Sequence, residues 1–574
     1  MLAVNWTVSQ RAAGSGQRAA GSGQRAAGSG QRAVLLAVRS AGALHRLLDV
    51  LPVFEGDPRV VTRFTLVPGS DFGLDALAAL ERSGARTVRW DDALAARHDL
   101  ILAASPKGGI HRLSGPRVLL PHGAGFNKSV HGDGSHGTPS GLDPHYLHFR
   151  GRPWADLHAL AHEEQVARLE SRSPLAASRS VVVGDPTLDR LLASAPHRDD
   201  YRDALGTGPR RLVVVTSTWG PESLLARRPG LAAELTELLP HDGFQVALVL
   251  HPNEHSALGA FDLSRRLGPA LAAGLLLAAP YEEWAALLVA ADAVVTDHGS
   301  TALYAAALGV PVVNAYDGGD ELLPGSPMAR LLDSSPRFTT AASLEGALRS
   351  ARSTDNRALA ADAFAHQGGA LTRLREQLYR LLGLTLPPGA PDPPAFPRPA
   401  PAFRRPHALA VRATVTGDRV AVARFPAHSS QPAHHLAAEY PGAGPRALQS
   451  AAVLWRRAGD RAAPLQRTAW TAGGWTAHAL EESPACRTAA AVLARDRVLL
   501  RSRSAGLLTA RVEPCRSGGR VSYPDPSAVV SAVYAWLGAR TGHTAAATVV
   551  CDTGPVAVRV HLDSVRRDDL DYEL

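Results

Sequence analysis

The chain is poor in the residues that staple, anchor or span. Three cysteines occur among 574 residues, Cys486, Cys515 and Cys551, an odd number with no CxxC spacing and all in the last quarter. That pattern excludes a disulfide framework and a cysteine-based zinc site. There is no run of eighteen uninterrupted apolar residues, because the most apolar stretch, 271 to 295, is broken by Glu282, Glu283 and Asp292, so no membrane-spanning helix is expected. The opening MLAVNWTVSQRAAGSG has no charged segment leading into an apolar core and so does not read as a secretory signal. A cytoplasmic protein able to visit the inner face of the cell membrane is the resulting expectation. Lysine is nearly missing, since all but Lys107 and Lys128 of the 61 basic residues are arginine. The net charge of +8 would suit a polyanion, yet the arginines are spread among Ala, Gly and Pro with no compact basic block interleaved with aromatics. Nucleic acid is therefore not expected as a partner.

What is present is the material of a globular protein of several domains, with 45% hydrophobic and 20% charged residues. Residues 10 to 30 hold three copies of QRAAGSG, with a fourth begun at Gln31. Each copy carries two glycines and no apolar seam, so 1–31 reads as a low-complexity, flexible tail rather than a coiled coil. From Ala33 short β-branched runs alternate with helical stretches. Strands are expected at 33 to 38, 59 to 67, 85 to 90, 99 to 104 and 117 to 120, then a less regular segment from 122 to 165, then a strand-turn-helix at 181 to 193. A second alternation has strands at 211 to 216, 244 to 250, 274 to 278, 293 to 296 and 311 to 315. This spacing predicts two doubly wound α/β lobes, 32–195 and 196–385, with the carboxyl ends of their strands facing a cleft. The helical stretch 356 to 384 could pack back across both lobes. Nine prolines between 386 and 406 mark a semi-rigid spacer. Beyond it 407–574, with a hairpin, a helix at 530 to 539 and strands at 545 to 550 and 556 to 561, reads as a separate α+β module with no chemical motif.

Five turns at the carboxyl ends of expected strands carry candidate chemistry. Residues 292 to 313, DAVVTDHGSTALYAAALGVPVV, form a strand-turn-helix-strand unit in which Asp297, Ser300 and Thr301 sit at a helix start suited to phosphate. Pro121 to Lys128, PHGAGFNK, brings His122 as a base and Lys128 as a charge beside a glycine turn. Gly184-Asp185-Pro186 opens a helix, where Asp185 also suits ordinary capping. Thr216-Ser217-Thr218-Trp219-Gly220 places Thr216 and Thr218 where hydroxyls could meet phosphate oxygens or cap a helix. His251-Pro252-Asn253-Glu254-His255 ends the next strand, with His251 directed at the cleft.

In order and approximate spacing, HGAGFNK, GDPTLDRLL, TSTWG, LHPNEH and TDHGST…LGVPVV resemble the turns of CDP-glycerol glycerophosphotransferases, GT-B enzymes that build teichoic-acid-like polymers and carry HGTPLK-like, GYPRND-like, APTW-like, HP and TDYSS-like turns. The resemblance spans 32 to 384 and neither the repeat tail nor the module after the prolines. It implies a GT-B-like fold of two Rossmann-like lobes. It further implies His122 as the base on the acceptor hydroxyl, His251 as a pyrophosphate contact, and Thr216, Thr218, Asp297, Ser300 and Thr301 as donor-phosphate residues. Lys128 and Asp185 become acceptor or phosphate contacts, and Glu321 a ribose contact. The implied partners are CDP-glycerol or another nucleotide-diphosphate donor and a polyol or glycan acceptor, with no metal and no cofactor. His298-Gly299 stands where the TDYSS-like turn has an aromatic residue and Ser, and Ala124-Gly125 where the first turn has Thr-Pro.

Weaker similarity links GDPTLDRLL, HPNEH and 292 to 313 to UDP-N-acetylglucosamine 2-epimerases, which keeps open an epimerase or other nucleotide-sugar enzyme. A non-catalytic GT-B scaffold is the third reading. The histidines between 122 and 162 lack the HExxH arrangement and any cysteine, so a solvated loop is expected there rather than a metal site.

Overall fold

The computed structural model describes residues 30–574 other than 71, 72, 122, 131–133, 136, 341, 342, 460–467, 518 and 541–545, with backbone alone at 73–75 and 517. The repeat tail and His122 lie outside the described residues.

Six parallel strands form the first sheet: β1 (Arg32–Val38), β2 (Val60–Leu66), β3 (Leu100–Ala103), β4 (Arg117–Leu119), β5 (Leu157–Leu160) and β6 (Ser180–Val182). Their order is β2-β1-β3-β4-β5-β6. Helix α1 (Ala41–Leu48), capped by the Ser40 side chain, follows β1, and α2 (Pro186–Ser194), capped by Asp185, follows β6. The expected strand at 85 to 90 shrinks to one bridge between Thr87 and Phe64, because a helix starts at Trp90. In its place β5 lies in the segment expected to be irregular, all four of its residues buried.

Five parallel strands form the second sheet: β7 (Arg211–Ser217), β8 (Phe244–Leu250), β9 (Leu276–Leu277), β10 (Ala293–Thr296) and β11 (Val312–Asn314), in the order β9-β8-β7-β10-β11. Helix α3 (Pro252–Arg266) follows β8 and α4 (Thr301–Ala307) follows β10. Both sheets are covered on two faces, as their near-continuous apolar strands require. The last helix of the region, α5 (Ala370–Leu382), returns to the first lobe. Its Leu371, Leu374, Leu378 and Leu382 share one stripe buried in that lobe's core, and Tyr379 Oη donates to Asp57 at 2.8 Å. Gly184 permits this return: its φ is +95°, and a Cβ there would lie 2.9 Å from the Ala365 carbonyl and 3.0 Å from Ala370 Cβ.

The proline spacer has no regular structure, but it does not hang free. Phe396 is buried, its N–H donates to Ser194 Oγ at 2.9 Å and its carbonyl accepts from the Tyr201 hydroxyl. Ala402 then exchanges backbone hydrogen bonds of 2.9 and 3.0 Å with Leu277 of β9, adding one bridge to the edge of the second sheet.

The last region differs from the expected α+β module in closure. Nine strands form a closed barrel: β12 (Ala408–Thr416), β13 (Arg419–Pro426), β14 (His435–Glu439), β15 (Val453–Arg457), β16 (Thr488–Ala494), β17 (Arg497–Ser502), β18 (Gly506–Val512), β19 (Ala547–Thr553) and β20 (Val556–Asp563). Their circular order is β12-β13-β19-β20-β18-β17-β16-β15-β14. Helix α6 (Ala472–Glu482) packs outside on β16 and β17, whereas α7 (Pro526–Gly538) touches strands around the ring and fills the interior. A helix apolar on nearly every side has to be enclosed in this way. Arg424 of β13 fixes the barrel to the second lobe. It is fully buried, makes two hydrogen bonds of 2.6 and 2.8 Å to Asp242, and reaches Asp525 and Ser527 of the barrel. Burial disfavours its charge, but the two carboxylates outweigh that and raise its pKa.

Two buried histidines make the fold acid-sensitive. His158 on β5 and His435 on β14 each have an Nε2 with no hydrogen-bond partner, and burial, aided by Arg179 and His434 respectively, lowers both from 6.5 to about 4. The unfolded chain therefore binds protons that the folded protein refuses, so stability is complete above about pH 6.5 and declines as the pH falls toward 4. Each site contributes a slope of up to about 1.4 kcal/mol per pH unit. Urea midpoints measured across this window should fall less steeply in a His158→Leu/His435→Leu double variant than in the parent; parallel curves would exclude these residues as the source.

Candidate functional site

A cavity of about 820 Å³ lies between the carboxyl ends of the two sheets. In the first sheet the strand order reverses between β1 and β3, and in the second between β7 and β10. The segments that follow these four strands all line the cavity, with Arg39, Ala104, Thr218 and His298 among the lining residues. Connections from the two strands at such a reversal leave toward opposite faces of the sheet, so the segments leave a crevice between them.

One side of the cavity is a buried polar hub built by α1 and α2. Arg46 donates to both oxygens of Asp185 at 2.7 Å, to Thr187 Oγ1 at 2.6 Å and to the Pro121 carbonyl at 3.0 Å. Asp185 also caps α2 through Leu188 N–H and accepts from the Tyr304 hydroxyl of α4 at 3.2 Å, which joins the two lobes. Asp49 accepts from Thr187 and from Arg190, and Arg190 lies 4.0 Å over the Phe396 ring. Burial opposes the Arg46 charge, but Asp185 overrides it and raises the pKa; burial raises those of Asp49 and Tyr304. Asp185 is thus the hub's anion rather than an acceptor or phosphate contact. Arg46 and Arg190 were invisible as site residues in the sequence, because nothing separates them from the other arginines until the chain folds.

The PHGAGFNK turn meets the second lobe directly. Ser129 N–H donates to the Glu321 carbonyl at 2.8 Å and Leu323 N–H to the Asn127 carbonyl at 2.9 Å. Gly123 belongs here because a Cβ would sit 3.3 Å from Ser300 Oγ. Lys128 Nζ lies 3.4 Å from Glu321 Oε2 and 5.1 Å over the Trp219 ring, so the point charge noted in the sequence is held by a carboxylate and an aromatic face. Glu321 in turn is 3.0 Å from His298 Nε2. Burial would raise its carboxyl, but the His298 hydrogen bond and the Lys128 charge hold it below the usual value. Glu321 is engaged inside the protein and is poorly placed as a ribose contact.

The phosphate-turn residues divide into two groups. Thr216 Oγ1 donates to Thr296 Oγ1 at 2.7 Å, a buried link between β7 and β10. Asp297 is almost fully buried and accepts from Thr218, Leu224 and Gly299 N–H groups at 2.8 to 2.9 Å. Its pKa is raised by burial, with His298 and these N–H groups opposing the rise. Asp297 therefore shapes the turn, and a buried carboxylate would repel a phosphate rather than bind it. Thr216, Thr218, Ser300 and Thr301 line the cavity, and the Ser300 side chain makes no capping bond to α4.

His251 caps α3, its Nδ1 accepting from Asn253 N–H at 3.1 Å, with its ring centroid 6.2 Å from Trp219. An acceptor Nδ1 in a neutral imidazole leaves the proton on Nε2. The cap thus sets a tautomer that can donate a hydrogen bond.

Glu222, His298 and Glu321 bring ligand-type atoms within 4.8 Å of one another. Glu222 already accepts from the Tyr316 hydroxyl and from Asp320 and Glu321 N–H groups, while Glu321 holds His298 and Lys128. These donors satisfy the carboxylates, and a cation would have to displace Lys128. Among the described residues no helix is long and apolar enough to cross a membrane.

The structural role of Asp297 can be tested. Asp297→Asn keeps the shape but turns one acceptor oxygen into a donor facing N–H groups, which should cost roughly 1–3 kcal/mol. Urea unfolding of the intact chain measures the loss, and an unchanged midpoint would refute it.

No protein-family model matches the sequence, and no curated protein matches it. Among solved structures, the chain is similar to the wall teichoic acid polymerase TagF, at 14% identity over 62% of this chain and 89% of that one, with a TM-score of 0.43. It is similar to S. aureus MnaA, solved with UDP, at 10% identity over 64% of this chain and 100% of that one, with a TM-score of 0.37. A further similarity is to Anabaena Alr3699/HepE, solved with UDP and glucose, at 14% identity over 62% and 100%, with a TM-score of 0.37.

Proposed function

We propose that the chain is a GT-B transferase that moves glycerol phosphate, or a related alditol phosphate, from a CDP-linked donor to a hydroxyl of a cell-envelope polymer. The observation that carries the reading is the cavity's position at the strand-order reversals of both sheets, where the Thr218, His251, Ser300 and Lys128 turns converge. The ordered resemblance of those turns to glycerophosphotransferase turns supports the donor chemistry.

In this reading the donor diphosphate lies on the second lobe, against the 218–219 and 299–301 turns, and the acceptor enters from the first lobe. The acceptor oxygen bonds to the phosphorus that carries glycerol as the bond from that phosphorus to the CMP oxygen breaks. The acceptor proton passes to His122, the base that the resemblance supplies. Arg46 fixes the carbonyl of the preceding Pro121. His251 would donate its Nε2 proton as a hydrogen bond to the departing CMP phosphate, where charge grows. Lys128 adds positive charge beside it.

The intact chain supplied with CDP-glycerol, CDP-ribitol or a panel of UDP- and GDP-sugars, with a polyol-phosphate acceptor, should release CMP from a CDP-alditol and extend the acceptor, read by mass spectrometry. His251→Ala should lower kcat by about 10²–10³-fold, the size of effect seen when one hydrogen-bond donor to developing charge is removed. UDP or GDP release would instead make the protein a glycosyltransferase, and epimerised UDP-N-acetylglucosamine an epimerase. Absence of turnover with every donor would favour a scaffold.

A further inference from the structure

The barrel carries a second polar site, remote from the cleft. Arg487, Arg501 and Arg503 line a groove of about 500 Å³ beside the end of α6, together with Leu480 and Glu481. The barrel is attached to the second lobe through Arg424 on β13, whereas this groove lies on β16 and β17, the opposite side of the ring. The groove therefore faces away from that attachment.

Two of the three guanidinium groups are held in place by backbone oxygens. Arg503 donates through Nε to the Cys486 carbonyl at 2.8 Å and also to the Leu480 carbonyl, and Arg501 donates to the Gly473 carbonyl at 3.3 Å. These contacts tie Arg501 to the first turn of α6 and Arg503 to its last turn and to the segment beyond it. They do not account for Arg487. The Arg503 N–H donates to the Arg487 carbonyl at 3.0 Å, which places the two residues opposite each other across the antiparallel pair β16–β17. Like charges so placed are destabilising. Among the described residues no carboxylate forms an ion pair with any of the three, and Glu481 is the one carboxylate lining the groove. Each guanidinium offers five N–H donors, and the bonds to backbone oxygens use only some of them. The result is a partly prearranged set of forked donors with a surplus of positive charge, the geometry that matches tetrahedral phosphate oxygens.

We propose that this groove binds a phosphate group, either of a soluble phosphate ester or of an anionic lipid headgroup, independently of the chemistry in the cleft. Arg487 completes the site, and the ligand's charge offsets the repulsion between Arg487 and Arg503.

The test uses the intact chain with Arg487→Gln and Arg487→Glu. Arg487 is exposed, and relief of its repulsion with Arg503 should leave both variants at least as thermally stable as the parent, so that lost binding does not report unfolding. Calorimetric titration with inorganic phosphate should show binding that weakens about tenfold in Arg487→Gln, equivalent to about 1.4 kcal/mol, and disappears in Arg487→Glu. Co-sedimentation with phosphatidylcholine vesicles, with and without phosphatidylglycerol, forms the second arm. Arg487-dependent phosphate binding without vesicle binding identifies a soluble ester, and Arg487-dependent binding to the phosphatidylglycerol vesicles identifies a headgroup. Equal phosphate isotherms and equal vesicle partition for the parent and Arg487→Glu would overturn the proposal.

Discussion

The geometry of the cleft depends on one buried ion pair, Arg46 with Asp185. A guanidinium without solvent is tolerable only when its donors are satisfied, and this one reaches Asp185, Thr187 and the Pro121 carbonyl. Those partners belong to two separate segments of the first lobe, the turn at Pro121 and the start of α2. Through Tyr304 the same carboxylate reaches the second lobe, so one charge pair sets where α1, the PHGAGFNK turn, α2 and α4 meet. A lysine could not replace the arginine, because its ammonium lacks the planar fork that engages both oxygens of Asp185 while Nε turns to a carbonyl. In a chain that has nearly abandoned lysine, the choice at this position is a matter of geometry as well as composition.

Around that hub the polar residues differ in what they hold and in what they face. Asp297 is sealed and spends its hydrogen bonds on turn N–H groups, while Thr216 ties β7 to β10 at the cavity wall. Thr218, Ser300 and Thr301 come from the same two turns and line the open space. His251 does both, since the bond that caps α3 also selects the nitrogen carrying its proton. Lys128 is poised between lobes, with its charge shared by Glu321 and the Trp219 ring.

Much of the two-lobed architecture could be read in the sequence, because parallel strands buried on both faces leave short, nearly pure apolar runs such as RLVVVTS and FQVALVL. The exceptions have physical causes. β5 escaped notice because LHAL is four residues long and carries a histidine, whose burial unprotonated no pattern announces. ARTVRW alternates like a strand, yet the helix starting at Trp90 leaves it a single bridge. The barrel's closure was illegible because it rests on pairings between distant segments, β13 with β19 and β12 with β14. Among the site residues, the turns were legible as turns, but side-chain roles were not. Asp185, Asp297 and Glu321 look like ligand contacts in a motif and become internal partners once their neighbours are known, while Arg46 emerges only from contacts more than seventy residues away.

The proline strap gives the molecule an unusual kind of modularity. On paper it is a natural seam at which recombination could swap one C-terminal module for another. In the folded chain Phe396 is packed under Arg190 and against Trp284 and also lines the cavity, so the seam supplies part of the wall of the neighbouring unit. A crossover upstream of Phe396 would take away a piece of the cleft together with the barrel, whereas one placed after Ala402 would leave the wall intact. Descendants that exchanged the barrel would therefore be expected to inherit the strap with the lobes, and the genetic boundary would lie downstream of where composition alone would draw it.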